Sequence, residues 1–130
     1  MSPSVFSTAP EKDYLGLFNG SEPNYKSIVK FTHFKKEEIS RATGFSLNMV
    51  RYDDKIPQEL RDRFMEWASL LNLVAGFFRG DAQKTAIWFT VPNPLLGNFS
   101  PRDMIRFGRY KRLMAFVLNS LEENRRKTGD

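Results

Sequence analysis

The sequence predicts an all-α fold: a helix-turn-helix, then one long spine helix, then a small C-terminal helical domain. No segment keeps the period-two alternation that a half-buried strand shows. An apolar stripe with steps of three and four residues predicts a long helix from Pro57 to Phe78. The run Ser100-Pro101-Arg102-Asp103 is typical of a helix start, in which serine caps the helix and proline takes its first position.

The same periodicity and the turn residues between periodic segments divide the chain into three parts. Residues 1–23 are rich in Ser, Pro, Gly and Asn and predict a flexible N-terminal arm with a short docked piece at 14–18. Residues 24–79 are predicted to form the helix-turn-helix region with its spine helix, and residues 80–130 the C-terminal domain. The other predicted elements are helices at 25–34, 35–43, 46–52, 81–88 and 109–123, a structured loop at 91–99, a break at Gly108 and a frayed tail from 124.

Composition limits the classes of protein to consider. The chain has 130 residues, of which 41% are hydrophobic, enough for one compact unit with its own core. It has no cysteine, which excludes disulfides, thiolate zinc sites and cysteine catalysis. No apolar run approaches the roughly 18 residues of a membrane helix, and the N-terminus lacks the pattern of a signal peptide. We therefore expect a cytoplasmic protein with no membrane partner.

Positive charge is concentrated in two stretches. The formal net charge is +5 and the isoelectric point is about 9.6. Residues 24–63 carry nine basic and six acidic side chains, and residues 100–130 carry eight basic and four acidic ones. This distribution permits an anionic partner such as DNA without requiring one.

Residues 38–51 have the spacing of a helix-turn-helix. Ile39 and Ser40 supply the apolar and small residues at the helix crossing, and Gly44 allows the positive φ of a tight turn. We expect Phe45 to fill the core, and Val50 to pack back on Ile39. Ser46 is predicted to cap a third helix, which would be the DNA-reading one.

That third helix supplies the candidate DNA contacts. Arginine pairs with guanine and asparagine with adenine through two hydrogen bonds each. The Asp53-Asp54 pair would repel phosphate, so the contact surface should end before it. An ordinary helical hairpin with a solvated face remains an alternative. The predicted DNA-binding residues are Ser46, Leu47, Asn48, Arg51 and Tyr52.

A second constellation lies in residues 88–101 and predicts a rigid loop between two helices. Trp88 should anchor the end of the preceding helix, while two prolines at 92 and 94 hold the residues before them extended. Asn93 can close a turn through its side chain. Leu95 and Leu96 are expected to make core contacts, and Gly97-Asn98 to allow a left-handed reversal before Ser100.

This segment resembles the C-terminal toxin-binding domain of Xre/MbcA/ParS antitoxins. That family carries a tryptophan, a Pro-Asn-Pro with a nearby leucine and glycine, and then Ser or Thr followed by Pro. The matching residues here are Trp88, Pro92, Asn93, Pro94, Leu96, Gly97, Ser100 and Pro101. The family also places an Xre-like helix-turn-helix and a long helix upstream, as in residues 36–78. Asn98, where a second glycine is usual, and Phe89, where an aliphatic residue is usual, depart from the pattern.

The resemblance implies an antitoxin of a type II toxin-antitoxin system. Its C-terminal domain would neutralise a RES-domain toxin, which consumes NAD, and its upstream part would bind operator DNA as a homodimer and repress its own operon. We expect the basic tail to enter and occlude the toxin's cleft. The alternative is a stand-alone helix-turn-helix transcriptional regulator with no toxin partner. The expected toxin-binding residues are Arg106, Arg109, Arg112, Arg125 and Arg126.

Enzymatic function is not expected. His33 is the single histidine, has no partnered nucleophile, and should lie half-buried near Phe31 and Phe34. The adjacent acids Glu37-Glu38 and Glu122-Glu123 point to different helix faces and cannot share acid–base work. The sequence contains no phosphate-binding glycine loop and no metal-ligand cluster, so no cofactor or metal is predicted.

Overall fold

The longest helix of the described residues, α3 (Gln58–Phe77), packs against elements that precede it and elements that follow it. The structure is a computed structural model and describes residues 10–127. The predicted apolar stripe consists of Leu60, Phe64, Trp67, Leu71, Val74 and Phe78. Its first five residues are buried and Phe78 is half-buried, which confirms the spine helix. The buried residues of α3 are Leu60, Phe64, Trp67, Ala68, Leu70, Leu71, Val74 and Ala75.

The elements before α3 are one small hairpin and two short helices. Strands β1 (Phe18–Asn19) and β2 (Glu22–Pro23) pair antiparallel and lead into α1 (Tyr25–Thr32) and α2 (Lys36–Thr43). The hairpin was not predicted, but the described residues are mostly helical, as the sequence predicts. α2 ends at Gly44 with a φ of 82°, so the left-handed turn predicted there is confirmed.

The N-terminal segment is docked over a longer stretch than the sequence predicts. The side chain of Asn72 in α3 accepts from the Tyr14 N–H at 3.0 Å and donates to the Lys12 carbonyl at 2.9 Å. The ring of Tyr14 lies against Gly76, where a Cβ would sit 3.1 Å from it. Leu17 and Phe18 are also buried. The prediction of a flexible arm is therefore wrong for residues 12–23, which are docked; residues 1–9 lie outside the described part.

Three helices follow α3. α4 (Ala82–Thr90) is the helix predicted at 81–88, and the Asp81 side chain caps it by accepting from the Lys84 N–H. α5 (Pro101–Arg106) and α6 (Tyr110–Lys127) are separated at Gly108, where φ is 75°, as predicted. α6 continues to Lys127, so the frayed tail expected from 124 is wrong as far as 127; residues 128–130 are not described.

Aromatic rings fill the centre of the core. Trp67 meets the rings of Phe34 and Phe64 edge-to-face, with centroids 5.5 and 5.2 Å apart. Phe89 of α4 lies 6.2 Å from Phe34. Edge-to-face pairs are favourable because the positive ring edge meets the negative ring face. Residues from both sides of position 80 therefore share one apolar cluster.

Arg102 of α5 connects the C-terminal helices to the first two helices. Its guanidinium donates to the carbonyl oxygens of Thr32 and His33, at 2.8 and 2.9 Å, and to the Glu38 carboxylate at 3.0 Å. It also lies 4.8 Å above the ring of Phe34. It thus satisfies carbonyls at the end of α1 that have no partner within the helix.

Glu38 is fixed from two sides. It accepts from the Lys35 N–H at 2.9 Å as well as from Arg102. Burial alone would raise the pKa of Glu38, but the Lys35 hydrogen bond and the Arg102 guanidinium outweigh it, so the pKa is lowered. The carboxylate is therefore ionised at neutral pH, in the state that binds Arg102.

His33, expected to lie half-buried, is exposed. It ends α1 in the left-handed conformation with a φ of 58°, and its carbonyl accepts from Arg102.

Within residues 10–127, no helix is both long enough and apolar enough to cross a bilayer.

Replacing Arg102 should destabilise the fold. We expect Arg102→Ala to lower the free energy of unfolding by about 2 kcal/mol, because it removes several charge-assisted hydrogen bonds. Arg102→Lys should recover only part of the loss, since one ammonium cannot reproduce the planar fork. Urea denaturation measures both variants.

The matched control is Arg126→Ala. Arg126 pairs with Glu122 through exposed side chains, and removing such a pair costs at most about 1 kcal/mol. Equal shifts for the two alanine variants would show that Arg102 does not hold the two parts of the chain together.

Candidate partner-binding surface and helix-turn-helix segment

Asn93 closes the loop between α4 and α5 through its backbone and its side chain. Its side-chain oxygen accepts from the Leu95 N–H at 2.9 Å. Its backbone N–H donates to the Phe99 carbonyl, and its carbonyl accepts from the Asn98 N–H, both at 3.0 Å. Pro94–Leu96 form one 3₁₀ turn inside this closure. The turn-closing role predicted for Asn93 is therefore confirmed.

The end of the loop follows the predicted geometry. Gly97 and Asn98 have φ values of 69° and 67°, so the left-handed reversal is confirmed. Asparagine at 98 is compatible with the reversal because it tolerates this region better than most residues. The Ser100 hydroxyl is buried and accepts from the Asp103 N–H at 3.0 Å, with Pro101 in the first helical position.

Leu95 is not a core residue. It is 79% exposed at the tip of the 3₁₀ turn, so the predicted core contact is wrong. The turn that Asn93 closes points residue 95 outward and residue 96 inward; Leu96 is half-buried and packs against the core, as does Trp88. Pro92, like Leu95, is exposed.

Two exposed aromatic rings lie on the same part of the molecule. Phe99 is 37% exposed and Phe107 is 49% exposed, and their rings meet edge-to-face at 5.6 Å. The Arg109 guanidinium lies 5.9 Å above Phe99, and that of Arg106 lies 4.7 Å above Phe107. The place of Phe107 on this surface was not predicted. The available signal in the sequence was the apolar pair Met104-Ile105 shortly before it, which suggests that a third apolar residue lies outside the core.

A concavity joins the loop to α6. Its volume is about 300 Å³, and its lining includes Leu95, Phe99, Arg109, Arg112 and Phe116. No acidic side chain lines it. We define the loop surface as this lining together with the neighbouring aromatic and arginine: Leu95, Phe99, Arg106, Phe107, Arg109, Arg112 and Phe116.

The five predicted toxin-binding arginines divide into two groups. Arg109 and Arg112 are exposed on the loop surface, whereas Arg106 is half-buried and donates to Asp103 at 3.0 Å. Arg125 and Arg126 both pair with Glu122 near the other end of α6. At 1.5 Å per residue, the two groups are about 20 Å apart along the helix. The structure therefore does not bring the tail beside the loop surface.

The predicted DNA-reading helix at 46–52 is replaced by a single 3₁₀ turn, Leu47–Met49. Ser46 does not cap it: its hydroxyl donates to the Asn48 side-chain oxygen at 2.7 Å. Val50 is buried and extended, with a φ of −80° and a ψ of 96°. Burial of Val50 and packing of Tyr52 on Phe64 draw the chain into the core, and the helix ends.

The five predicted DNA-binding residues therefore do not share one helix face. Ser46, Leu47 and Asn48 are exposed, while Tyr52 is half-buried. Arg51 binds Asp53 through two hydrogen bonds of 2.7 and 2.6 Å. This bond holds the pKa of Asp53 at about 2, so its negative charge persists and compensates Arg51 at neutral pH.

Comparison with known proteins finds no match to any family model, curated protein or solved structure. Among residues 10–127, no group of three His, Asp or Glu side chains is placed to hold a metal ion. The loop surface and the exposed turn at 46–49 are the two candidate sites.

Substitutions in the loop should separate backbone strain from side-chain contact. We expect Gly97→Ala to lower the free energy of unfolding by about 1 kcal/mol, because alanine is strained at positive φ. Asn98→Gly should be neutral or slightly stabilising, because glycine adopts the same φ freely. Thermal unfolding of both variants checks this; a similar loss in each would contradict the left-handed geometry.

Proposed function

We propose that the protein is an antitoxin that binds and neutralises a partner toxin through its loop surface. The observation that carries the proposal is Leu95, which is 79% exposed on a loop whose backbone is closed by hydrogen bonds. A large apolar side chain held out on an ordered loop is suited to enter a pocket of a partner protein.

The loop surface has the composition of a protein interface. Aromatic residues and arginine are enriched in interfaces, and an apolar centre with a polar rim is the usual arrangement. Here Leu95, Phe99 and Phe107 supply the centre, and Arg109 and Arg112 supply the rim. Because the loop is already ordered, binding costs little conformational entropy.

The resemblance of residues 88–101 to the antitoxin domain suggests the class of partner, a RES-domain toxin that consumes NAD. The concavity has no acidic lining and two exposed arginines, which favours a partner with acidic residues at the contact. Arg125 and Arg126 lie at the far end of α6 and already pair with Glu122. We therefore propose that the loop surface, and not the tail, covers the toxin's substrate cleft.

Operator binding is a second proposed role, and the exposed turn at Ser46–Met49 favours it. Leu47 and Met49 are both 47% exposed just after the Gly44 turn, at the position that the recognition helix occupies in a helix-turn-helix protein. The contact would rest on Ser46, Leu47 and Asn48, because Arg51 is compensated by Asp53. A stand-alone regulator would use this turn, and no toxin would bind its loop surface. The identity of the adjacent gene distinguishes the antitoxin from the stand-alone regulator.

Placing negative charge on the loop surface should abolish neutralisation of the toxin. With the cognate RES-domain toxin co-expressed, Leu95→Asp and Arg109→Glu should each weaken toxin binding by about 2 kcal/mol, roughly thirtyfold. Cell growth and cellular NAD report protection, and calorimetry reports affinity. The matched control is Ile87→Asp on α4, which is 55% exposed and outside the loop surface. Full protection by the Leu95→Asp/Arg109→Glu double variant would exclude this surface.

The DNA role predicts a different pattern. Asn48→Ala should weaken binding to the protein's own promoter by about 1–3 kcal/mol if Asn48 reads a base. Arg51→Ala should have a smaller effect, because Asp53 compensates its charge. Fluorescence anisotropy at fixed salt measures both, and toxin neutralisation should persist in both. Unchanged affinity for Asn48→Ala and Leu47→Ala would exclude the turn as the reader.

A further inference from the structure

A larger cavity, of about 690 Å³, lies between the end of α2, the first half of α3 and the start of α6. Ala42 and Thr43 line it from α2, and the buried side chains of Trp67 and Ile105 form its floor. Its charged and titratable side chains come from α3 and from the start of α6. We name it the basic cavity after these side chains, which are Arg63, Glu66, Arg109, Tyr110, Lys111 and Arg112.

Positive charge dominates the basic cavity. Four cationic side chains and one carboxylate line it, which leaves a formal charge of +3. The carboxylate belongs to Glu66, which pairs with Arg63 at 2.6 Å. Within residues 10–127, no carboxylate forms an ion pair with the other three cations. A concave surface lined by one sign of charge attracts counter-ions strongly, because its low-dielectric walls focus the electric field.

The other titratable groups of the cavity do not offset the three remaining cations. Tyr110 donates its hydroxyl hydrogen to the backbone carbonyl of Glu66 at 3.0 Å, and burial raises the pKa of Tyr110, so it stays neutral at physiological pH. Burial also raises the pKa of the Glu66 carboxyl, although Arg63 and Lys111 act in the opposite direction. The positive charge of Arg109, Lys111 and Arg112 is therefore left for a ligand from outside the chain.

The arrangement of the cations favours a ligand with more than one phosphate group. Arginine binds phosphate oxygens through two parallel hydrogen bonds, and lysine binds them as a point charge. Arg63 lies on α3, whereas Lys111 and Arg112 lie on α6, so the cations stand on two walls of the cavity. A diphosphate carries charge on two linked phosphate groups and can contact both walls.

The shape of the cavity favours a small molecule over the backbone of DNA. Its volume falls within the roughly 300–1,000 Å³ that is usual for small-molecule sites. It is recessed between three helices, and its floor is formed by side chains of the core. A ligand that enters it must be small enough to fit between these helices.

We propose that the basic cavity binds the diphosphate group of a small-molecule ligand. Arg63 contacts the ligand from α3, and Lys111 and Arg112 contact it from α6. The proposal does not depend on toxin or operator binding. Arg109 and Arg112 line both this cavity and the concavity of the loop surface, but Arg63 and Lys111 line only the basic cavity. Variants of Arg63 and Lys111 therefore test this site and leave the loop surface intact.

Titration of the whole chain with inorganic pyrophosphate tests the site. Calorimetry at low salt should show saturable binding of one pyrophosphate per chain, and binding of inorganic phosphate should be roughly tenfold weaker, because it reaches only one wall. Amide signals of residues 42–43 and 108–112 should shift together in two-dimensional NMR spectra. Sodium chloride at the same ionic strength should not reproduce these shifts.

Substitutions in the lining should change the affinity in opposite directions. Lys111→Gln and Arg63→Gln should each weaken pyrophosphate binding about fivefold or more, because each removes one cation. Glu66→Gln should strengthen binding, because it removes the carboxylate of the lining; a structural role of Glu66 alone would not raise the affinity. Toxin neutralisation should persist in all three variants, so this site and the loop surface can fail independently.

The matched control is Lys84→Gln, which removes an exposed cation of α4 outside the basic cavity and should leave pyrophosphate binding unchanged. Circular dichroism establishes that each variant keeps its helices. Absence of saturable binding at up to about 5 mM pyrophosphate overturns the proposal. So does an equal loss in Lys84→Gln and Lys111→Gln, which would show attraction by net charge alone. Loss of duplex DNA binding in the cavity variants, with no binding of pyrophosphate by the wild type, would assign these cations to DNA instead.

Discussion

The arrangement of the helices depends on the guanidinium of Arg102. It is the point where α5 meets both the end of α1 and the start of α2, through two backbone carbonyls and the Glu38 carboxylate. These partners lie 64 to 70 residues away in the sequence. Because α5 begins directly after the loop, the same contact fixes the downstream end of the loop to the rest of the fold.

The loop between α4 and α5 is held by hydrogen bonds between residues close in sequence, and these bonds leave the Leu95 side chain exposed. Asn93 closes the loop, Gly97 and Asn98 reverse it, and Ser100 caps the helix that follows. None of these contacts uses the side chain of residue 95, so the loop does not require a leucine at this position. This exposed leucine is the observation on which the proposed partner contact rests.

Most of the confirmed predictions rest on local signals in the sequence, whereas long-range contacts were not predicted. The stripe of α3, the turns at Gly44 and Gly97 and the Ser100 cap each depend on residues within one or two helix turns, and all are confirmed. The third helix, predicted at 46–52, does not form, because Val50 is buried in a core that includes residues of α3. Two local features were missed as well: Arg51 pairs with Asp53 two residues on, and the turn that Asn93 closes points Leu95 outward.

The contact between Asn72 and the N-terminal segment bears on how the chain folds and opens. It joins residues 58 and 60 positions apart, so it closes a long loop and gains nothing until α3 exists. Contacts of this kind form late in folding and contribute to a high contact order. Residues 12–14 rest on α3 through Asn72 and the Tyr14 ring, whereas Leu17 and Phe18 are buried in the core. Opening of residues 12–14 alone would therefore leave the core covered, and amide hydrogen exchange at Tyr14 would distinguish it from global unfolding.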